Sequence, residues 1–214
     1  MNTQQCCRLS WTDPAGQAQQ VFRTALTALA RPASSHVFEP CPATDRAAGE
    51  SLPPGLSPEL AALALSLCDN ETTVWLAPEL DTEEVRGWFR FHCGTVLVDE
   101  PVKACFAFVP CVEALPELHR FHQGDAEYPD RSTTVCLGGV EPAEGSGIRA
   151  SGPGIKGSCA LGCHLPGDFV ERWQENHDRF PLGVDMLLCG SGSMIGLPRT
   201  TCLMHAADEV KACM

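Results

Sequence analysis

Two stretches of this chain combine residue types that can hold an anion. The first lies in Phe180–Leu203, FPLGVDMLLCGSGSMIGLPRTTCL, where Arg199 follows Pro198 and precedes Thr200 and Thr201. A guanidinium at a rigidly fixed point of the chain, flanked by hydroxyls, can grip a carboxylate or phosphate in two-pronged fashion. It can equally cap a sheet edge or bridge subunits. The second is Gly152-Pro153-Gly154-Ile155 followed by Lys156. Backbone N–H groups in such a loop can converge on an anion, and Lys156 adds a charge. The commoner task of such glycines is a tight turn, and the spacing matches neither a phosphate loop nor a dinucleotide fingerprint. Asp185 interrupts the otherwise apolar run Val184–Cys189. Buried there it needs a partner, and Arg199 is available across the following turn.

Other chemistry is missing from the pattern. No GxSxG elbow occurs, and His92, His119, His122, His164, His177 and His205 follow neither HExxH nor a facial metal set. Cys159, Cys163 and His164 have metal-like content without the spacing of a zinc knuckle, so no metal site is assigned. The 13 cysteines are odd in number and several lie in apolar runs, as Cys68, Cys105, Cys136, Cys189 and Cys202 do. They read as small buried hydrophobes rather than a disulfide framework. Cys6 and Cys7 are a vicinal pair open to oxidation. The lysines are Lys103, Lys156 and Lys211, none in the setting of a pyridoxal-phosphate Schiff base, and no cofactor is expected.

The elements that must position these residues follow from local pattern. Gln17–Arg31 reads as a helix with Val21, Phe22, Ala25, Leu26 and Leu29 on its buried face, ended by Arg31-Pro32. Residues 33–56 read as an exposed connection. Ser57-Pro58 opens a second helix that stops near Asp69-Asn70, and Asp81 with Glu84 suggests a capping box for a third, through Phe91. Strands are expected at 72–77, 104–109, 132–137, 147–151, 184–189 and 193–197, with a helix at 166–177. Strands alternating with helices imply an α/β layered domain, a central mixed sheet covered by helices, over 1–214, with 205–214 as a flexible tail.

A formal charge of −12 argues against broad nucleic-acid binding. No apolar run reaches the ~18 residues of a membrane span. With no leader pattern between Met1 and Gln20, a cytoplasmic protein is expected.

PLGVD at 181–185, LPRTT at 197–201 and GPGI at 152–155 resemble the C-terminal pattern of the PhnH family, a component of the bacterial carbon–phosphorus lyase system. Gln20, Phe22, Arg23 and Leu29-Ala30-Arg31-Pro32 resemble its N-terminal helix, and DNETTVWL at 69–76 and RFHCGTVLVDEP at 90–101 its centre. The family usually carries glycine where this chain has Ala33. The resemblance implies a fold similar to pyridoxal-phosphate-dependent transferases without the cofactor. It implies an accessory role with the G, I and L subunits, in a step where an alkylphosphonate displaces adenine from ATP to give a ribose 1-phosphonate 5-triphosphate. It also implies homodimers, assembly with the G, I and J subunits, and possible contact with ATP or phosphonate inside that assembly. The Trp11–Phe22 region and the hairpin carrying Arg199 are the expected contact surface. The family supplies no catalytic residue to carry over. Gly152, Gly154, Lys156, Asp185, Arg199 and Thr200 are the anion-binding or interface candidates. An autonomous binding or transferase domain for an anionic nucleotide-like ligand is the alternative, and a pyridoxal-phosphate enzyme a third reading.

Overall fold

Apolar runs of four to six residues build the centre of the molecule, seen in a computed structural model that describes residues 11, 13–40, 44–45, 50–144 and 147–207. The elements run α1 Pro14–Ala30, β1 Ser35–Val37, β2 Thr44–Asp45, β3 Glu50–Ser51, α2 Pro58–Leu67, β4 Thr73–Leu76, α3 Glu83–His92, β5 Val96–Leu97, β6 Phe106–Val109 and β7 Thr134–Leu137. They continue with β8 Ile148–Ser151, β9 Ser158–Ala160, α4 Phe169–His177, β10 Asp185–Gly190, β11 Ser193–Leu197 and β12 Cys202–His205. Seven strands form one sheet in the order β1-β11-β10-β7-β6-β4-β5. Strand β11 runs antiparallel to both its neighbours, and the remaining pairings are parallel. The fold is the expected α/β layered type with a mixed central sheet.

The parallel strands are buried on both faces, which is why they read as nearly continuous apolar runs. Val74, Leu76, Phe108, Cys136, Leu187, Cys189 and Met194 point to one core, shared with α1, α2 and α3. Trp75, Ala107, Val109, Val135, Leu137, Met186 and Leu188 point to the other, shared with α4. A second, three-stranded sheet, β12-β8-β9, covers part of that face. Sequence pattern did not anticipate this second sheet; β9 and β12 are short and only partly buried. Because β12 pairs with β8 through His205, the expected tail would begin after that residue. Residues 208–214, with Lys211, lie outside the described residues, as do Cys6 and Cys7.

Helix α1 starts earlier than expected, at Pro14, with the Asp13 carboxylate accepting from Gly16 N at 3.1 Å. Its buried face is Val21, Ala25 and Ala28; Phe22 and Leu26, expected inside, are 44% and 53% exposed. The cause is a close approach to the sheet. A Cβ on Gly196 would lie 2.4 Å from Ala28 backbone, so the helix crosses the sheet too closely there for a large side chain to lie between them. Helix α2 has the expected cap, Leu60 N donating to Ser57 Oγ at 3.2 Å. Helix α3 is capped by Thr82 rather than Asp81, whose carboxylate instead pairs with Arg86 at 2.6 Å.

The expected connection 33–56 contains more structure than its composition suggested. Strand β1 forms the sheet edge, and Ala33, Phe38 and Leu56 are buried. Residues 41–43 and 46–49 of that stretch lie outside the described residues. Ala33 itself takes a left-handed conformation, φ 65°, so the turn keeps the geometry glycine would give it. A residue with a Cβ is held there at a cost of about 1–2 kcal/mol. Its N–H donates to Gly196 O at 3.1 Å and its carbonyl accepts from Gly162 N at 2.9 Å.

Candidate functional site

Asp185 is the first residue of β10, opposite Thr134 at the start of the parallel strand β7. The β10–β11 hairpin returns the chain to the same end, where Pro198 sets Arg199 beside Asp185. The sequence-predicted pair forms: Arg199 Nε donates to Asp185 Oδ1 at 3.1 Å and Nη2 to Oδ2 at 2.6 Å. The Arg199 backbone N–H adds a third bond to Oδ1 at 2.7 Å. Nη1 donates to the carbonyls of Pro129 at 2.8 Å and Pro181 at 3.3 Å, and Nη2 also donates to the Ser132 hydroxyl. A guanidinium has five N–H groups, and each has an acceptor within this chain. Arg199 is 8% exposed. The geometry is that of a pin joining β10, β11 and the turns before β7 and β10.

Helix α4 locks onto the same corner. His177 Nδ1 bonds the Arg199 carbonyl at 2.9 Å, and Trp173 Nε1 donates to Thr201 O at 2.7 Å. The buried Asn176 side chain exchanges bonds of 3.0 and 2.8 Å with the backbone of Val184.

The GPGI stretch forms the β8–β9 hairpin and meets this corner from the other sheet. Gly152 has φ 131°, and an added Cβ would lie 2.7 Å from Thr200 O. Gly154 has φ 85°, and a Cβ there would lie 2.5 Å from Ala30 O, at the end of α1. Both glycines permit backbone to approach backbone. The structure thus brings Gly152 to Thr200 beside the Asp185–Arg199 joint, while Gly154 meets the end of α1 instead and Lys156 is exposed on the hairpin.

Ligands of open α/β sheets usually sit beyond the carboxyl ends of the strands, where the strand order reverses. The Asp185–Arg199 joint lies at the opposite, amino ends. The order reverses between β4 and β6, and the loops after these strands carry exposed Glu79 and Glu113 beside Asp81, which Arg86 already pairs. Those carboxylates disfavour an anion there. Among the described residues no cluster of three or more His, Cys, Asp or Glu is arranged for a metal; Cys163 is buried and Cys159 half-buried.

A polar groove that sequence pattern did not single out runs between α1 and the edge strand β1. Gly16, Gln20, Arg23 and Thr27 on one side face Ser35 and His36 on the other. The Gln20 and Arg23 pair was visible in sequence only as part of a family-like helix.

Comparison with known proteins places this arrangement. The family model for the bacterial phosphonate metabolism protein PhnH matches residues 9–204. The chain belongs to the PhnH family. It is 36% identical over 194 residues to the alpha-D-ribose 1-methylphosphonate 5-triphosphate synthase subunit PhnH of Rhizobium meliloti (strain 1021), covering 90% of this chain and 92% of that protein. It is also 36% identical over 92 residues to the putative C-P lyase subunit protein HtxG of Stutzerimonas stutzeri, covering 42% of this chain and 44% of that one. In this PhnH-family chain, the C-terminal residues that carry the likeness are those of the Asp185–Arg199 joint. The N-terminal ones place Arg23 on the groove, and Ala33, where the chain departs from the family's glycine, keeps the left-handed turn.

Proposed function

We propose that this chain is an accessory subunit of the carbon–phosphorus lyase machinery, acting with the G, I and L subunits when an alkylphosphonate displaces adenine from ATP. The carrying observation is the match to a synthase subunit over nine-tenths of both chains. Two features of the chain support an accessory rather than a catalytic part. The arginine that sequence marked for holding an anion, Arg199, has its donors turned inward. The turn loops at the strand reversal carry carboxylates of the same sign as the substrates.

The outer face of α1 and the sheet edge supply the contact surface in this reading. Phe22 and Leu26, one helical turn apart, and Val37 of β1, 85% exposed, are apolar groups beside an unpaired strand edge. Such a face suits pairing with a second copy or a companion subunit. Trp11, which the sequence placed in this surface, is instead 5% exposed. Lys156, Gly152, Gly154 and Thr200 form a second contact corner. No described helix is long and apolar enough to cross a membrane, and a cytoplasmic assembly with the G, I and J subunits fits that. The sheet, with six strands in one direction and one reversed, is compatible with the likeness to pyridoxal-phosphate-dependent transferases.

Co-expression with the G, I and J subunits followed by size analysis tests the reading. Co-elution at a mass above that of the isolated chain is expected. Turnover of ATP plus methylphosphonate by the chain alone would overturn it.

A further inference from the structure

We propose that the groove between α1 and β1 is an anion site for a phosphoryl or phosphonyl group, with Arg23 as its principal cation. The groove encloses about 460 Å³, within the range of small-molecule clefts. The argument begins with charge. The chain carries 27 Asp and Glu against 15 Lys and Arg, yet no described residue lining this groove is a carboxylate, and one is an arginine. An anion approaching elsewhere meets a net negative field; here the lining charge is the Arg23 cation, and the Asp13 carboxylate beside Gly16 at one end is already engaged in capping α1.

The lining groups have the right polarity. Thr24 and Thr27 turn their hydroxyl hydrogens back to the carbonyls of Gln20 and Arg23, at 3.0 and 2.8 Å. Those hydroxyls are therefore held, and donation falls to the Arg23 guanidinium, the Gln20 amide and the Ser35 hydroxyl. Arg23 is exposed, and its guanidinium fork matches two oxygens of a tetrahedral oxyanion.

A second observation comes from β1. His36 Nε2 is buried and has no hydrogen-bond partner among the described residues, a costly state for a ring nitrogen. His36 lines the groove, so an oxyanion bound there is a partner that reorienting the ring would supply. The side of β1 away from β11 is also unpaired within the sheet. The accessory role needs no ligand on this subunit, so the site stands or falls independently of it.

The test is titration of the full chain with tripolyphosphate, ATP and methylphosphonate, followed by calorimetry and amide NMR shifts. Binding of at least one probe is expected, weakening as salt rises. Arg23→Ala should lower affinity tenfold or more, Arg23→Lys less, and His36→Gln severalfold. Arg31→Ala, an exposed arginine outside the groove, should leave it unchanged. Tripolyphosphate and ATP without methylphosphonate would assign the site to a nucleotide phosphate chain; methylphosphonate alone would assign it to the phosphonate. No binding of any probe, or binding that Arg23→Ala leaves intact in a folded variant, overturns the proposal.

Discussion

Removing the Asp185 carboxylate is the sharpest perturbation of the joint that holds the C-terminal strands. Asp185→Ala deletes three bonds at once, at 2.6, 2.7 and 3.1 Å. It leaves the guanidinium with a tenth of its surface exposed and two donors without acceptors. Breaking a buried pair this way costs about 3–5 kcal/mol, largely because the surviving charge is stranded. The Asp185 side chain is a quarter exposed, so water reaches part of the wound and the lower end, about 3 kcal/mol, is expected. For a chain of this length that is a fall in Tm of roughly 6–12 °C. Urea unfolding followed by tryptophan fluorescence reads the change directly, since Trp173 donates to Thr201 O two residues from Arg199. The double variant Asp185→Ala with Arg199→Met should be less destabilised than the sum of the singles, because no charge is left stranded. A cost below about 0.5 kcal/mol for Asp185→Ala would put the pair in the class of surface ion pairs and refute the reasoning.

Three further outcomes follow from other parts of the molecule. Gly154→Ala should destabilise by about 3 kcal/mol or more, from a Cβ 2.5 Å from Ala30 O at positive φ; a midpoint equal to wild type in denaturant would show that the hairpin does not press on α1. Phe22→Glu with Leu26→Glu should leave the unfolding midpoint within about 0.5 kcal/mol, as both residues are exposed, while abolishing self-association or co-elution with companion subunits; unchanged elution would remove α1 from the contact surface. Burial pushes the Cys163 thiol from 9.0 up to about 12, so the folded state favours the protonated form. That contribution is intact below about pH 9 and is lost as pH rises toward 12, by at most about 1.4 kcal/mol per pH unit. Denaturant midpoints measured from pH 8 upward should therefore fall, and the Cys163→Ala variant should show a shallower decline; identical slopes would refute the assignment.

The sheet interior was legible because double-sided burial leaves a plain mark. TVWL, FAFV, TVCL and DMLLCG are apolar on both faces, and each became a parallel strand. The edges carry no such mark. Ser35–Val37 and Val96–Leu97 are short and half in water, so nothing in their composition separates them from loop. The face of α1 was misread for a related reason. Periodicity permits Phe22 and Leu26 inside or outside, and what decides is Gly196, some 170 residues on, whose missing side chain lets the helix cross closely at Ala28.

The joint and the groove differ in the same way. Asp185 could be matched with Arg199 in advance because a lone carboxylate in a buried strand must find a cation, and only a short hairpin separates the two. In sequence, Gln20, Arg23, Ser35 and His36 are ordinary surface types that carry no sign of a need to pair. Only the packing of α1 along the β1 edge makes them neighbours. Necessity therefore marks the residues that hold this fold together, while a binding groove built from optional contacts stays silent until the helix is placed. That is why the arginine most conspicuous in sequence proves to be held inside the chain, while the arginine of the proposed groove lies on a helix that read mainly as an apolar stripe.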